Sequence, residues 1–231
     1  MRKVARIAVE AHKALIQSTH PGVAEKALSA VFDFVSAKGG GRGLSYYTVI
    51  MSGKNHAYGH YHGYDRVLKE GDFPSLDAAP DYDNYHVDIS TPFPASGTFT
   101  PRQKELYEAA LAVHDVAIEN YRPGVTLREV GQKMDSLIKA RGYDRFAEDF
   151  RSIVRVGGYN HSIGMATHDV MGTFASADEV LKPGFVFPVT SSCSGVTKRS
   201  ASGLKTPSRS RRPGMKCCRS ACPGRWPRSR R

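Results

Sequence analysis

The sequence predicts an α/β domain built from two related halves, and three observations predict it. Residues 11–39 align with residues 113–141 at a constant offset of 102, so that Ala11-His12 meets Val113-His114, Ile16 meets Ile118, and Pro21-Gly22-Val23 meets Pro123-Gly124-Val125. Each aligned helix pair is followed by β-rich stretches. Residues 1–187 carry 21 basic and 22 acidic residues, an ordinary balance over a length sufficient for one domain with a real core. Two copies at a period near 100 residues make a pseudo-symmetric domain rather than a solenoid.

The elements follow in order. Met1 to Leu15 reads as an amphipathic helix, because Glu10 and His12 interrupt any signal-peptide core. After the Pro21-Gly22-Val23 break, Ala24 to Lys38 forms a second helix with Leu28, Val31, Phe32 and Val35 on one face, and Gly39 to Gly43 ends it. Tyr46 to Met51, Phe73 to Asp77 and Tyr85 to Ile89 are expected strands. Ser96-Gly97 and Thr100-Pro101 lead into a helix with proline in its first turn. The second Pro-Gly-Val break passes into Thr126 to Arg141, carrying Val130, Met134, Leu137 and Ile138 and ended by Gly142. Strands of the second half are expected at Ile153 to Val156, around His161 to Ala166, and at Phe185 to Val189. The domain is therefore drawn as 1–187, with halves of about 1–100 and 101–187, and a separate stretch 188–231.

That last stretch holds twelve of the 33 Lys and Arg residues, no acidic residue, all four cysteines and Trp226. The net charge of +11 thus belongs to residues 188–231 and gives the domain no nucleic-acid character. No apolar run approaches the ~20 residues of a membrane span. The absence of cysteine from 1–187 excludes a disulfide scaffold and makes the cytoplasm the expected compartment. Cys217-Cys218-x-x-x-Cys222 lacks zinc-knuckle spacing. A rival reading takes the stretch as a basic arm for RNA, DNA or acidic lipid, bound with steep salt dependence.

The carboxylates carry the most chemistry. With Tyr82 and Asp83 at the centre of a hairpin turn, positions summing to 165 face each other, which sets Asp77 opposite Asp88. Facing carboxylates repel unless a cation removes the cost, and two-metal hydrolases hold their ions only about 3.5–4 Å apart. Asp65, Asp72, Asp81 and Asp83 suit ordinary solvated positions. All nine histidines lie in 1–187, in two notable groups: His56, His60 and His62 in a Gly/Tyr-rich stretch, and His161 and His168 flanking Ile163-Gly164-Met165. Neither group has the spacing of a familiar zinc motif.

The string Asp77 to Gly97, DAAPDYDNYHVDISTPFPASG, with FTPRQKELYEAAL, RPGVTLREV, HSIGMATHDV and LKPGFVF, resembles the Xaa-Pro aminopeptidase and prolidase branch of the pita-bread metallopeptidases. The resemblance covers residues 1–187 almost continuously and implies the duplicated pita-bread fold. It also implies hydrolysis of the bond before proline at a peptide's N-terminus by a hydroxide held at two divalent ions, Mn first, with Co and Zn as alternatives. Asp77 matches the first metal carboxylate, Asp88 the bridging carboxylate and His161 the histidine ligand. His60 matches the substrate-side histidine, and His168 the histidine near the scissile bond. A peptide with proline second is the implied partner, and homodimers are common in the family; neither membrane nor nucleic acid is expected.

The chain departs from the family in places. Asp-Ile-Thr-Arg-Thr-Phe becomes Asp88-Ile89-Ser90-Thr91-Pro92-Phe93, and Gly157 stands where another active-site histidine is expected. By this resemblance the sequence is expected to open at the first helix of the catalytic domain rather than in the N-terminal domain of longer members. Thr190 occupies a carboxylate ligand position and no acidic residue follows Glu179, so two ligands of five are absent.

The stretch from Pro188 reads as out of frame. Its codons, regrouped as the third base of one with the first two of the next, can give Cys-Asp-Ile-Gln-Leu-Phe over Pro188 to Ser194. They can give Arg-Ile-Glu-Asp-Thr over Ser202 to Pro207, restoring both carboxylates. The expectation is a chain that binds metal weakly and turns over little. The alternative enzyme class is a creatinase-like hydrolase that uses the fold and its histidines without metal.

Overall fold

The structure is a computed structural model and describes residues 1–146, 150–151, 154–155, 157–158, 161–169 and 176–189. Helix α1, Arg2–Ser18, buries Val4, Ile7, Ala8, Ala11 and Leu15, a stripe at spacings of three and four. It packs on α2, Glu25–Lys38, through Leu28 and Phe32. Strand β1, Gly43–Leu44, pairs antiparallel with β4, Pro80–Asp81. Strands β2, Val49–Met51, β3, Ser75–Asp77, and β5, Ser90–Pro92, form an antiparallel sheet in the order β2-β3-β5. Ile50, Leu76 and Phe93 close the core of this half against the helices.

The second half begins with α3, Pro101–Asn120, and α4, Leu127–Ala140. Each starts with a capping box, Thr100 with Gln103 and Thr126 with Glu129, which satisfies two otherwise orphaned N–H groups reciprocally. Their apolar faces meet in a core of Leu106, Val113, Val130, Met134, Ile138, Phe146 and Phe150, which Phe73 joins from the first half.

The duplication is visible in the hydrogen bonds. In the first half Gly22 N–H donates to Leu68 (2.8 Å), Leu68 N–H to Val23 (2.8 Å) and Glu25 N–H to Arg66 (2.9 Å). The second half repeats the latch with Gly124 to Leu181 (2.9 Å), Leu181 to Val125 (2.9 Å) and Leu127 to Glu179 (3.2 Å). Gly22 (φ 93°) and Gly124 (φ 89°) turn the chain into it in a conformation that glycine adopts without strain.

Several expectations are corrected. The hairpin turn centres on Asp83 and Asn84, with φ of 52° and 62°, not on Tyr82 and Asp83. A two-residue turn of this kind needs both central residues left-handed, which Asn and Asp adopt more readily than Tyr. Tyr82 therefore bridges Tyr85 and Asp77 pairs with Ser90, leaving Asp88 diagonal to Asp77 on the same face. The strand expected at Tyr85 to Ile89 lies later, at Ser90–Pro92, and that expected at Tyr46 to Met51 begins only at Val49. His161 to Ala166 is bent, because Asp169 captures the Met165 N–H (3.0 Å) and Gly164 bonds Ala166 (3.2 Å), which diverts backbone groups from a ladder. Phe185 to Val189 shows only a bridge residue at Val189. Within Ile153 to Val156, Val154 and Arg155 are helical and the other two positions lie outside the described residues, as do Thr190 and all of 190–231.

Candidate functional site

Asp77 ends β3 and Asp88 lies two residues before β5, so the central sheet delivers both carboxylates to one place. Both are almost fully buried, at 4% and 6% exposure. Antiparallel pairing sets Val49 opposite Asp77, which carries the segment before β2 past the end of β3 and brings in Tyr46. The Tyr46 hydroxyl donates to Asp77 Oδ1 at 2.6 Å and reaches Asp88 Oδ1 at 3.2 Å. Burial first, and then the two negative carboxylates, push this phenol well above its usual range, so its proton stays in place.

The second half contributes His161. Its Nε2 lies 3.0 Å from Asp88 Oδ2, and its Nδ1 lies 2.9 Å from the Ser162 carbonyl. Two ring nitrogens thus face two oxygens. That arrangement is satisfied by a proton on each nitrogen, or by a cation shared between Nε2 and the carboxylates while Nδ1–H donates to Ser162 and fixes the ring. The His168 ring packs on His161 with centroids 4.1 Å apart, and His168 is exposed.

Asp77, Asp88, His161 and His168 therefore share one site. His60 does not join this buried group; it stands on an exposed arm with φ 55°, a left-handed conformation uncommon outside glycine. Gly157, where a histidine was expected, has φ 56°, and a Cβ there would meet the Leu127 carbonyl oxygen at 2.2 Å. The backbone itself excludes a side chain at that position. Pro92 is accommodated because, among the described residues, β5 is at an edge of its sheet.

Sequence reasoning missed two residues of the site. Tyr46, which the sequence offers only as strand material, stands before β2 and donates to both carboxylates. His12 anchors the sheet from α1: Nε2–H donates to Ala78 (2.8 Å) and Nδ1 accepts from the Thr91 hydroxyl at 3.2 Å. Burial lowers its pKa to about 4 and keeps it neutral. Its signal was the His12 and His114 pair of the repeat, both buried. Of the aspartates expected in bland positions, Asp83 makes an exposed ion pair with Arg42 (3.0 Å), whereas Asp65 and Asp72 belong to a network described below.

Two carboxylates and an imidazole are suitable donors for Mn, Co or Zn. The donor chemistry fits a divalent ion, but only as part of a shell. Among the described residues no group of three or more His, Cys, Asp or Glu side chains is arranged to hold a metal ion as it stands, since Tyr46 and His161 lie on the carboxylate oxygens.

Comparison with known proteins gives a consistent result. The sequence model of metallopeptidase family M24 matches residues 1–205. The Xaa-Pro aminopeptidase of Escherichia coli (strain K12) is 28% identical over 199 residues, which are 82% of this chain and 45% of that protein. The Xaa-Pro dipeptidase of Rattus norvegicus is 30% identical over 200 residues, 80% of this chain and 40% of that protein. The chain thus spans less than half the length of these curated relatives. Among solved structures, Escherichia coli aminopeptidase P in complex with substrate superposes with a TM-score of 0.74 at 25% identity, covering 94% of this chain and 50% of that one. Pseudomonas aeruginosa aminopeptidase PepP gives 0.70 at 30% identity, covering 82% and 46%. Zinc-substituted Escherichia coli aminopeptidase P in complex with product gives 0.71 at 25% identity, covering 94% and 50%. The architecture is the pita-bread fold of these peptidases.

Proposed function

This chain belongs to metallopeptidase family M24, and from that premise we propose that residues 1–187 are the catalytic domain of an Xaa-Pro-type aminopeptidase. The substrate is a peptide with proline second. The observation that carries the reading is the meeting of Asp77 and Asp88 from one half with His161 from the other, with His168 against it. Asp77, Asp88 and His161 would hold a divalent ion, Mn before Co or Zn, and two ions in a complete centre. Such an ion supplies Lewis-acid polarisation of a carbonyl and acidifies water.

The chain's own residues do the rest. Tyr46 holds both carboxylates on one side. The Ser162 carbonyl orients His161. His168, exposed beside His161, offers an imidazole to the scissile bond, and His60 offers one from the arm; imidazole is the side chain suited to moving protons near neutral pH. Three donors leave an ion under-coordinated, and residues 180–231 add no acidic side chain to the set. This chain therefore binds metal weakly and turns over little. Other parts of the proposal are a cytoplasmic location, homodimers, and no membrane or nucleic-acid partner; among the described residues no helix is long and apolar enough to cross a membrane.

The test is hydrolysis of Xaa-Pro peptides by the purified chain with and without Mn²⁺. Turnover is expected to be low, and rapid Mn-dependent cleavage would overturn the claim of an incomplete centre. The direct contact of His161 with Asp88 favours a second reading, a creatinase-like hydrolase working without metal. Creatine hydrolysis that survives a chelator would select it.

A further inference from the structure

The first half buries a carboxylate where the second half buries a leucine. Glu25 and Leu127 occupy the same place in the repeated latch, both with 0% exposure. Leu127 packs with Leu181, so the helix pair itself is satisfied by an apolar residue at this position. A buried charge is no better for stability than a well-packed apolar residue, and often worse. The carboxylate of Glu25 therefore has work outside the latch.

Its hydrogen bonds show what that work is. Oε1 accepts from the Ser52 N–H (3.1 Å) and hydroxyl (2.6 Å), and Oε2 accepts from Asn55 Nδ2 (3.2 Å) and the Arg66 N–H (3.3 Å). Ser52 and Arg66 are the two ends of one excursion of the chain, and Asn55 lies inside it. The clasp is reinforced from both sides. Asn55 Nδ2 also donates to Asp65 (2.8 Å), while Arg66 donates to the Ser52 hydroxyl (2.6 Å) and pairs with Asp72 (3.2 Å). Gly53, with φ 48°, leaves the room that the Arg66 guanidinium fills, since a Cβ there would lie 2.2 Å from it.

Above this clasp stands the arm with His60 at its tip. His60 and Tyr64 are both left-handed, at φ 55° and 53°. The ring of His62 bonds the His60 carbonyl (3.0 Å) and stacks on Tyr47 at 5.3 Å. A strained, exposed tip keeps one conformation only when its base is fixed.

We propose that Glu25 is the positioning residue of the substrate arm, its carboxylate joining Ser52 to Arg66 so that His60 is presented in one place. The proposal rests on the peptidase reading only in assigning the arm to substrate. Glu25→Gln sets an NH₂ group against N–H donors, and Glu25→Leu copies the second half.

The experiment compares the full chain with both variants by amide exchange and by NMR of the histidine rings. Peptides within 53–65 are expected to exchange about tenfold faster, while α1 and α3 keep their rates. The His60 and His62 ring signals are expected to move while those of His12 and His114 stay. Unchanged exchange in the arm of a folded variant, or acceleration spread evenly over α1 and α3, would overturn the proposal. Should both variants fail to fold, Asn55→Leu, which opens the clasp from inside the arm, is expected to give the same pattern, and an unaltered arm there overturns it equally. An Xaa-Pro peptide added to the wild-type chain separates the two claims. No binding to a chain whose arm loosens as stated counts against the peptidase reading alone, and binding with an unmoved arm counts against the clasp alone.

Discussion

His56 shows how a single buried ring ties the arm to the sheet and to pH. It is 1% exposed, its Nε2 lies 3.1 Å from the Phe73 carbonyl, and burial lowers its pKa to about 4. Free histidine titrates near 6.5. Between those values the unfolded chain binds the extra proton, so the stability contribution is complete above about pH 6.5 and drains away as the pH falls towards 4, by about 3 kcal/mol. His12 acts in the same direction. Burial raises the Glu25 pKa, and its contribution has the opposite sign, being largest at low pH and declining as pH rises through the folded value. Urea unfolding at pH 7 and pH 4 is expected to show that His56→Asn loses less stability on acidification than the wild type; an equal loss would contradict the assignment. At this scale Asp77, Asp88, His161 and His168 could be named from the short strings that carry the family resemblance, and the hairpin put the two aspartates on one face although not directly opposite. Tyr46, Glu25 and Arg66 were not, since their roles depend on partners 14 to 42 residues away.

Helix α4 reverses a rule that normally favours alanine. Gly131 lies inside it, where exchange to alanine would ordinarily gain about 1 kcal/mol. Here a Cβ would meet the Val154 carbonyl oxygen at 2.0 Å, and backbone cannot withdraw as a flexible side chain would. Gly131→Ala is therefore expected to destabilise the chain by about 1–3 kcal/mol net, measured as a lower denaturant midpoint. Removing the cap of the same helix by Thr126→Ala is expected to remove about 1 kcal/mol. Helices α1 to α4 were readable because breaks, caps and apolar spacing are local signals. The hairpin was misread by one residue because Tyr82, Asp83 and Asn84 all suit turns and only the requirement for two left-handed residues separates them. The strand expected around His161 failed for a different reason: backbone bonding there is decided by Asp169 and Gly164, which apolar patterning does not reveal.

For the molecule as a whole, the change of composition at Pro188 and the repeat are the two long-range features that sequence alone exposes. The repeat was legible to its phase, and the latch bonds follow it residue for residue. The out-of-frame reading of the stretch from Pro188 predicts that the coding DNA, read in the adjacent frame after the Phe187 codon, encodes acidic residues in place of the basic stretch. Sequencing the locus checks it, and an adjacent frame without such codons removes it. A chain restored in that frame is expected to bind Mn²⁺ at least tenfold more tightly than the present one, the gain scaling with the two added carboxylates, as read by calorimetry.

Asp77 and Asp88 belong to one lobe and His161 to the other, with the Asp88–His161 contact spanning 73 positions of chain. An ion gripped by all three, as proposed, would be a rivet through the seam between the duplicates. Chelation would then register as slackness where the lobes abut, before any helix frays or any strand parts.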